Sequence, residues 1–166
     1  MTELLLGCGR SREKRIALGE PVWSNLTTLD YSPDCHPDIV WDLNETPWPL
    51  LDNTYDEVHA YEVLEHLGRQ GDYVAFFAHF SEIWRVLKPG GHLFATVPAP
   101  GSPWVWGDPG HTRSISMESL TYLNQEEYVR QVEVMTDYRR IYHADFRPIM
   151  AQIRGETFAF ILEARK

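Results

Sequence analysis

The chain opens on Leu4-Leu5-Leu6-Gly7-Cys8-Gly9, an apolar run ending in Gly-x-Gly. Asp30 follows at a spacing of about twenty residues, the distance at which a carboxylate grips a ribose diol. An apolar run stopped by glycines predicts a buried strand entering a tight turn. The glycines let the backbone come close to a ligand, and a helix after the turn would offer its free N–H groups to an anion. Together these features predict an α/β sheet with a nucleoside-containing ligand at its first strand.

A length of 166 residues predicts a single domain over residues 1–166, long enough to bury a full core. The apolar runs are too short to span a membrane and the N-terminus lacks a signal-peptide layout, so the expected location is cytoplasmic. Cys8 and Cys35 give no disulfide framework, and Cys8 reads as a small buried residue of the turn. A net charge of −9 argues against broad electrostatic binding of nucleic acid. Arg10, Arg12, Lys14 and Arg15 nevertheless cluster after the turn, where they read as a solvated helix face.

Punctuation sets the order of elements. Ser11 is placed to cap a short helix through about Leu18, stopped by Gly19 and Pro21. Leu26–Leu29, Ile39–Trp41 and Tyr55–Tyr61 read as the next strands. From Tyr73, Phe76, Phe77, Phe80, Ile83, Trp84 and Leu87 recur at helical spacing, which predicts an amphipathic helix packed on a sheet. Lys88-Pro89-Gly90-Gly91 predicts a type II turn, and Leu93–Val97 a fifth strand. Ser116 is placed to cap a helix to about Leu123. Val132 and Val134 alternate with polar residues as in a half-exposed strand, and Thr157–Ala164 predicts the last one. The expected fold is therefore a Rossmann-like, doubly wound, mostly parallel seven-stranded sheet with an antiparallel C-terminal edge hairpin. Ligands of such sheets bind beyond the carboxyl ends of the strands, where strand order reverses.

Leu6-Gly7-Cys8-Gly9, Asp30, Asp42-Leu43-Asn44, Tyr55-Asp56-Glu57-Val58, Val63-Leu64-Glu65-His66 and Trp84–Gly91 stand in an order and spacing that resemble the class I S-adenosylmethionine-dependent methyltransferases of the type 11-like group. Asp108-Pro109-Gly110-His111 resembles an Asp-Pro-x-His element of one compact subgroup. The resemblance implies S-adenosylmethionine as cofactor. It implies that Gly7, Cys8 and Gly9 pass under the methionine part, that Asp30 accepts from both ribose hydroxyls, and that Tyr31 lies against the adenine. Asp42 would accept from the adenine amino group, with the Leu43 backbone nearby, and Tyr61 and Glu62 would face the methionine end. Asp38 is a competing carboxylate for the Asp42 role. The sequence departs from the family at Leu5, where an acid often stands two residues before the first glycine. Arg12 occupies the third-glycine position of a dinucleotide fingerprint, which disfavours a nicotinamide cofactor.

Methyl transfer needs an aligned nucleophile and, for a hydroxyl or protonated amine, a proton acceptor. His66 and His111 sit on the convergent loops and are the candidate bases, with Asp108 placed to orient His111 or line the pocket. Arg113 suits a carboxylate or phosphate of the acceptor, or a surface pair with Glu118. Trp104 and Trp106 would wall a substrate pocket or fold under their loop. No residues stand at recognised zinc spacing, so no metal is expected. The expected activity is methyl transfer to an O or N atom of a small-molecule or macromolecular acceptor, with a homodimer as the candidate assembly. The competing expectation is a catalytically inactive protein of the same fold that binds a partner.

Overall fold

In the computed structural model, which describes residues 1–166, seven strands form one sheet. They are β1 (Glu3–Leu6), β2 (Leu26–Asp30), β3 (Ile39–Val40), β4 (Tyr55–Tyr61), β5 (Leu87–Pro98), β6 (Phe146–Arg154) and β7 (Thr157–Ala164). Their order is β3-β2-β1-β4-β5-β7-β6. The first five run parallel, and β7 runs antiparallel to both β5 and β6. The Rossmann-like architecture is as the sequence predicts. Strand order reverses between β1 and β4, which opens a crevice at their carboxyl ends.

Side chains alternate across the sheet, so each strand feeds two layers. Leu4, Leu6, Val58, Ala60, Leu93, Ala95 and Val97 join one large core with Phe77, Phe80, Ile83 and Val86 of α1 (Tyr73–Val86). Asp72 caps this helix by accepting the Ala75 N–H at 2.9 Å. Burying each of those large apolar side chains contributes roughly 1.5–3 kcal/mol, and this stripe is the reason the helix forms. The other face carries only a small cluster of Leu5, Cys8 and Tyr61, packed with Ile16, Trp23 and Leu26.

Three local expectations need correction. No helix follows the first turn: residues 11–17 have no regular structure. The run Arg10 to Arg15 has no apolar stripe to lay on a sheet, so the segment is tied down by side chains instead. Arg12 donates to the carbonyls of Gly9 and Cys35, the Trp23 indole donates to the Arg12 carbonyl, and the Tyr61 hydroxyl meets the backbone of Ile16. Residues 131–134 form turns after the short helix Gln125–Arg130, and β6 lies later, at Phe146–Arg154. Lys88–Gly91 is an excursion within β5: its partner strand moves from Tyr55 to Glu57 while β5 moves from Leu87 to His92. Gly90 takes φ +75° there, the left-handed position of the expected turn.

Candidate cofactor cleft and active site

The loops after β1, β2, β3 and β4 converge on a cleft of about 460 Å³, within the usual range for a small-molecule site. Gly7, Asp30, Tyr31, Asp42, Leu43 and Glu62 all line it. Gly7 has φ +55°, and a Cβ there would collide with the Val63 side chain, so this wall admits only glycine. Asp30 is almost fully buried at the end of β2. Its Oδ2 accepts the Gly9 N–H and its Oδ1 accepts the Ser32 N–H, both at 2.9 Å. These bonds fix the carboxylate and tie the glycine turn to the second strand. Tyr31 is 76% exposed, a ring on the rim with an open face. Asp42 holds the Asn44 backbone and side chain with Oδ1 alone. Asp38, the rival carboxylate, is committed to the Thr28 N–H and hydroxyl at 2.8 Å and does not line the cleft. Its pKa is lowered by those two bonds.

Tyr61 is placed differently from expectation. It lines a separate small crevice with Leu5, Gly7, Cys8, Ser11, Glu13 and Arg15, behind the turn. Its hydroxyl is 2.7 Å from His59 Nδ1. Cys8 is buried in the same layer, and burial raises its thiol pKa. Glu62, the next residue, turns at φ +56°, a left-handed conformation uncommon outside glycine, and so reaches the cleft.

Behind the turn lies a buried ionic network. Lys14 Nζ is 2.5 Å from Glu3 Oε1 and 2.7 Å from Glu57 Oε2. His59 Nε2 is 3.0 Å from the same Glu57 oxygen. Glu3 also accepts the backbone N–H groups of Ser24 and Asn25. Burial opposes the Glu57 charge, but hydrogen bonds from His59 and Lys14 and the ammonium charge prevail and hold its pKa at about 2. Burial lowers the His59 pKa, so the neutral ring donates from Nε2 and accepts the Tyr61 hydroxyl at Nδ1.

At the other end of the cleft, His66 and Gly110 join its wall. His66 Nδ1 lies 3.0 Å from the Gly110 carbonyl, and His111 Nδ1 lies 2.7 Å from the Trp104 carbonyl. A carbonyl only accepts, so both Nδ1 atoms donate, and neither Nε2 atom has a hydrogen-bond partner. The two rings meet edge to face, with centroids 4.6 Å apart. Asp108 Oδ1 accepts the Gly110 N–H, leaving Oδ2 3.9 Å from His111 Nε2. Glu65, not singled out in the sequence as a site residue, completes the group. It is 1% exposed and neither carboxylate oxygen has a hydrogen-bond partner. Burial, the charge of the close Glu62 carboxylate and the Asp108 charge raise its pKa to about 8, so in the metal-free protein the carboxyl group holds its proton at neutral pH.

The remaining substrate candidates fall elsewhere. Arg113 is buried and donates to the carbonyls of Leu67, Arg69 and Asp72, over the Phe76 ring. Its donors staple the loop before α1; Arg113 does not line the cofactor cleft and its guanidinium donates to backbone carbonyls rather than to Glu118. Trp104 and Trp106 lie on the one-turn helix α2 (Trp104–Gly107) and are exposed, while only Val105 between them is buried. They neither wall the cleft nor fold under the loop.

Residues 4–95 match the profile of the methyltransferase domain family. The chain belongs to that family. No curated protein matches the chain significantly. Among solved structures, the chain resembles a SAM-dependent methyltransferase from Archaeoglobus fulgidus, with TM-score 0.59, 16% identity, and coverage of 98% of this chain and 85% of that one. It also resembles the N-methyltransferase NodS from Bradyrhizobium japonicum in complex with S-adenosyl-L-homocysteine, with TM-score 0.58, 13% identity, and coverage of 99% and 78%. A third is an S-adenosylmethionine-dependent methyltransferase from Mesorhizobium loti, with TM-score 0.55, 13% identity, and coverage of 97% and 89%. At these identities the likeness establishes the fold. S-adenosylmethionine is the cofactor that accompanies this family and fold, and the cleft at the β1/β4 reversal suits it. No helix is long and apolar enough to cross a membrane.

Proposed function

We propose that this methyltransferase-family protein moves a methyl group from S-adenosylmethionine to an oxygen or nitrogen of its acceptor. The observation that carries the reading is a single cleft lined by Gly7, Asp30, Asp42 and Glu62 from four successive strand ends. Each Asp30 oxygen already takes one backbone N–H. A carboxylate oxygen has about two acceptor positions, so each keeps one for a ribose hydroxyl. Asp42 Oδ2 is free for an adenine amino group, and the open Tyr31 ring suits stacking. When bound, the cofactor supplies a methyl carbon made electrophilic by its sulfonium. The chain's own task is to align the acceptor and take its proton where it has one. The unpartnered Nε2 atoms of His66 in the cleft wall and of His111 packed against it suit that task in their neutral form, with the Asp108 carboxylate beside His111.

Calorimetric titration with S-adenosylhomocysteine tests the reading. Binding to the wild type is expected, and Asp30→Ala should weaken it about a hundredfold, because two charge-assisted hydrogen bonds are lost. A folded sample that binds neither S-adenosylmethionine nor its product overturns it.

A second reading, a cofactor-binding protein without turnover, is favoured by Leu5. This side chain is buried in the small apolar cluster where the family often has an acid, and no helix starts after the turn to receive the methionine carboxylate. Transfer of labelled methyl groups to extract components, lost in the Asp30 variant, would exclude it.

A further inference from the structure

We propose that Glu65, His66 and His111 form a divalent transition-metal site at the edge of the cleft. One ligand atom from each of the three lies within 4.8 Å of the others. Three independent features of these side chains point the same way.

The first is Glu65. A carboxyl group at 1% exposure with no donor on either oxygen is a costly thing to fold around, and a cation is the group that would satisfy it. The second is the pair of imidazoles. Each donates Nδ1–H to a backbone carbonyl, to Gly110 from His66 and to Trp104 from His111, and each is thereby fixed in orientation with Nε2 unpartnered. An imidazole held at one nitrogen by a backbone carbonyl and bare at the other is the second-shell pattern of metal-ligating histidine. The third is spacing. His111 Nε2 is 3.9 Å from Glu65 Oε1 and 3.9 Å from Asp108 Oδ2. Ligand atoms around a tetrahedral ion with bonds of about 2.1 Å stand about 3.4 Å apart, so the edges from His111 close with a contraction of about half an ångström and those to His66, within 4.8 Å, with at most about 1.4 Å. Two nitrogens and one or two carboxylate oxygens suit zinc, cobalt, manganese or iron(II).

The other buried Glu–His cluster, Glu3, Glu57 and His59, supplies an internal contrast. It has the same ligand types, and its cation is already there as the Lys14 ammonium. No lysine or arginine reaches Glu65.

His66 belongs to the cleft wall, so open coordination positions of such an ion would face the proposed methyl acceptor. This last step alone rests on the methyltransferase reading. The acceptor class it implies is one with a hydroxyl or other oxygen ligand, whose proton the metal would make easier to lose.

The test is direct and needs no turnover. The full-length protein is stripped with a chelator, dialysed, and titrated with Co²⁺ while visible absorption is recorded, then challenged with Zn²⁺. One equivalent of Co²⁺ should give a saturable d–d spectrum that Zn²⁺ abolishes. Glu65→Gln and His66→Gln should each weaken Co²⁺ binding by at least about tenfold, since even outer-shell losses cost that much. His66 is exposed, so its variant folds independently of any core effect at Glu65. A folded wild type without a saturable spectrum, or equal affinity in His66→Gln, overturns the site. S-adenosylhomocysteine calorimetry on the same metal-free sample reports cofactor binding separately, so a failed metal site and a failed cofactor cleft give different results.

Discussion

Two Glu–His clusters flank the β1–β4 crevice, and they differ in whether a cation stands among them. Behind the glycine turn, Glu3, Glu57 and His59 surround the Lys14 ammonium, with each charge paired. In front of it, Glu65, His66 and His111 meet without a cation, and the Glu65 oxygens have no partner. The same residue types serve opposite ends. The rear cluster is a finished structural contact, and the front cluster keeps its bonding capacity for something outside the chain. Buried ion pairs are weak evidence for stability, yet removing one partner is severe because the other charge stays behind. A buried carboxyl group that no donor satisfies costs stability whether ionised or protonated, and it therefore signals use.

The contrast can be broken from either side. The largest expected effect is Lys14→Met, which leaves two buried carboxylates facing each other. Loss of about 3–5 kcal/mol is expected, seen as a drop of about 10 °C or more in melting temperature. A melt within about 2 °C of wild type would show that the rear network is not the structural anchor described above.

Acid is the next probe. The Glu57 pKa falls from 4.5 in the unfolded chain to about 2 in the fold. A depressed carboxyl adds stability that is complete above the unfolded value and disappears as pH falls through the folded one. Urea midpoints should therefore decline between pH 5 and pH 2, by a few kcal/mol in all, and Glu57→Gln should flatten that decline. Equal slopes for wild type and variant would count against the network.

In front, the sign reverses. Glu65→Gln places a neutral amide where an unpaired acid stands, so the metal-free protein should melt higher by about 3 °C, near 1 kcal/mol. A large destabilisation would mean that the carboxylate already has a structural partner. Smallest of all, His66→Gln on the exposed rim should change stability by less than about 0.5 kcal/mol.

The sequence made parts of this layout legible and hid others for physical reasons. α1 could be read because its aromatic stripe is also its buried face. Gly7, Asp30, Asp42 and Glu62 could be placed together because each ends or follows a strand, and parallel topology gathers strand ends. β6 was obscured by Pro148 and by polar residues along it. It tolerates them because it is the edge strand and its register slips between Pro148 and Met150. The missing first helix was masked by Ser11, a plausible cap with no apolar stripe behind it. The front cluster was invisible to spacing rules because Glu65 and His111 come from loops far apart in the chain. The signal available was Val63-Leu64-Glu65-His66, an acid and an imidazole side by side just past a strand.

The irregular cover over residues 11–17 has a consequence for local opening. Its amides lack helical partners, and Lys14 is its deepest anchor. Lifting it would return an ammonium and two carboxylates to water together, which refunds much of their desolvation. Such a segment should open at a small fraction of the global unfolding free energy, and its amides should exchange with deuterium well before those of β4 and β5. Since Gly9 is bonded to Asp30 at the front and Arg12 to the Gly9 carbonyl at the rear, this breathing reaches the wall of the cofactor cleft. Cofactor binding should then appear as slowed exchange on the far side of the turn.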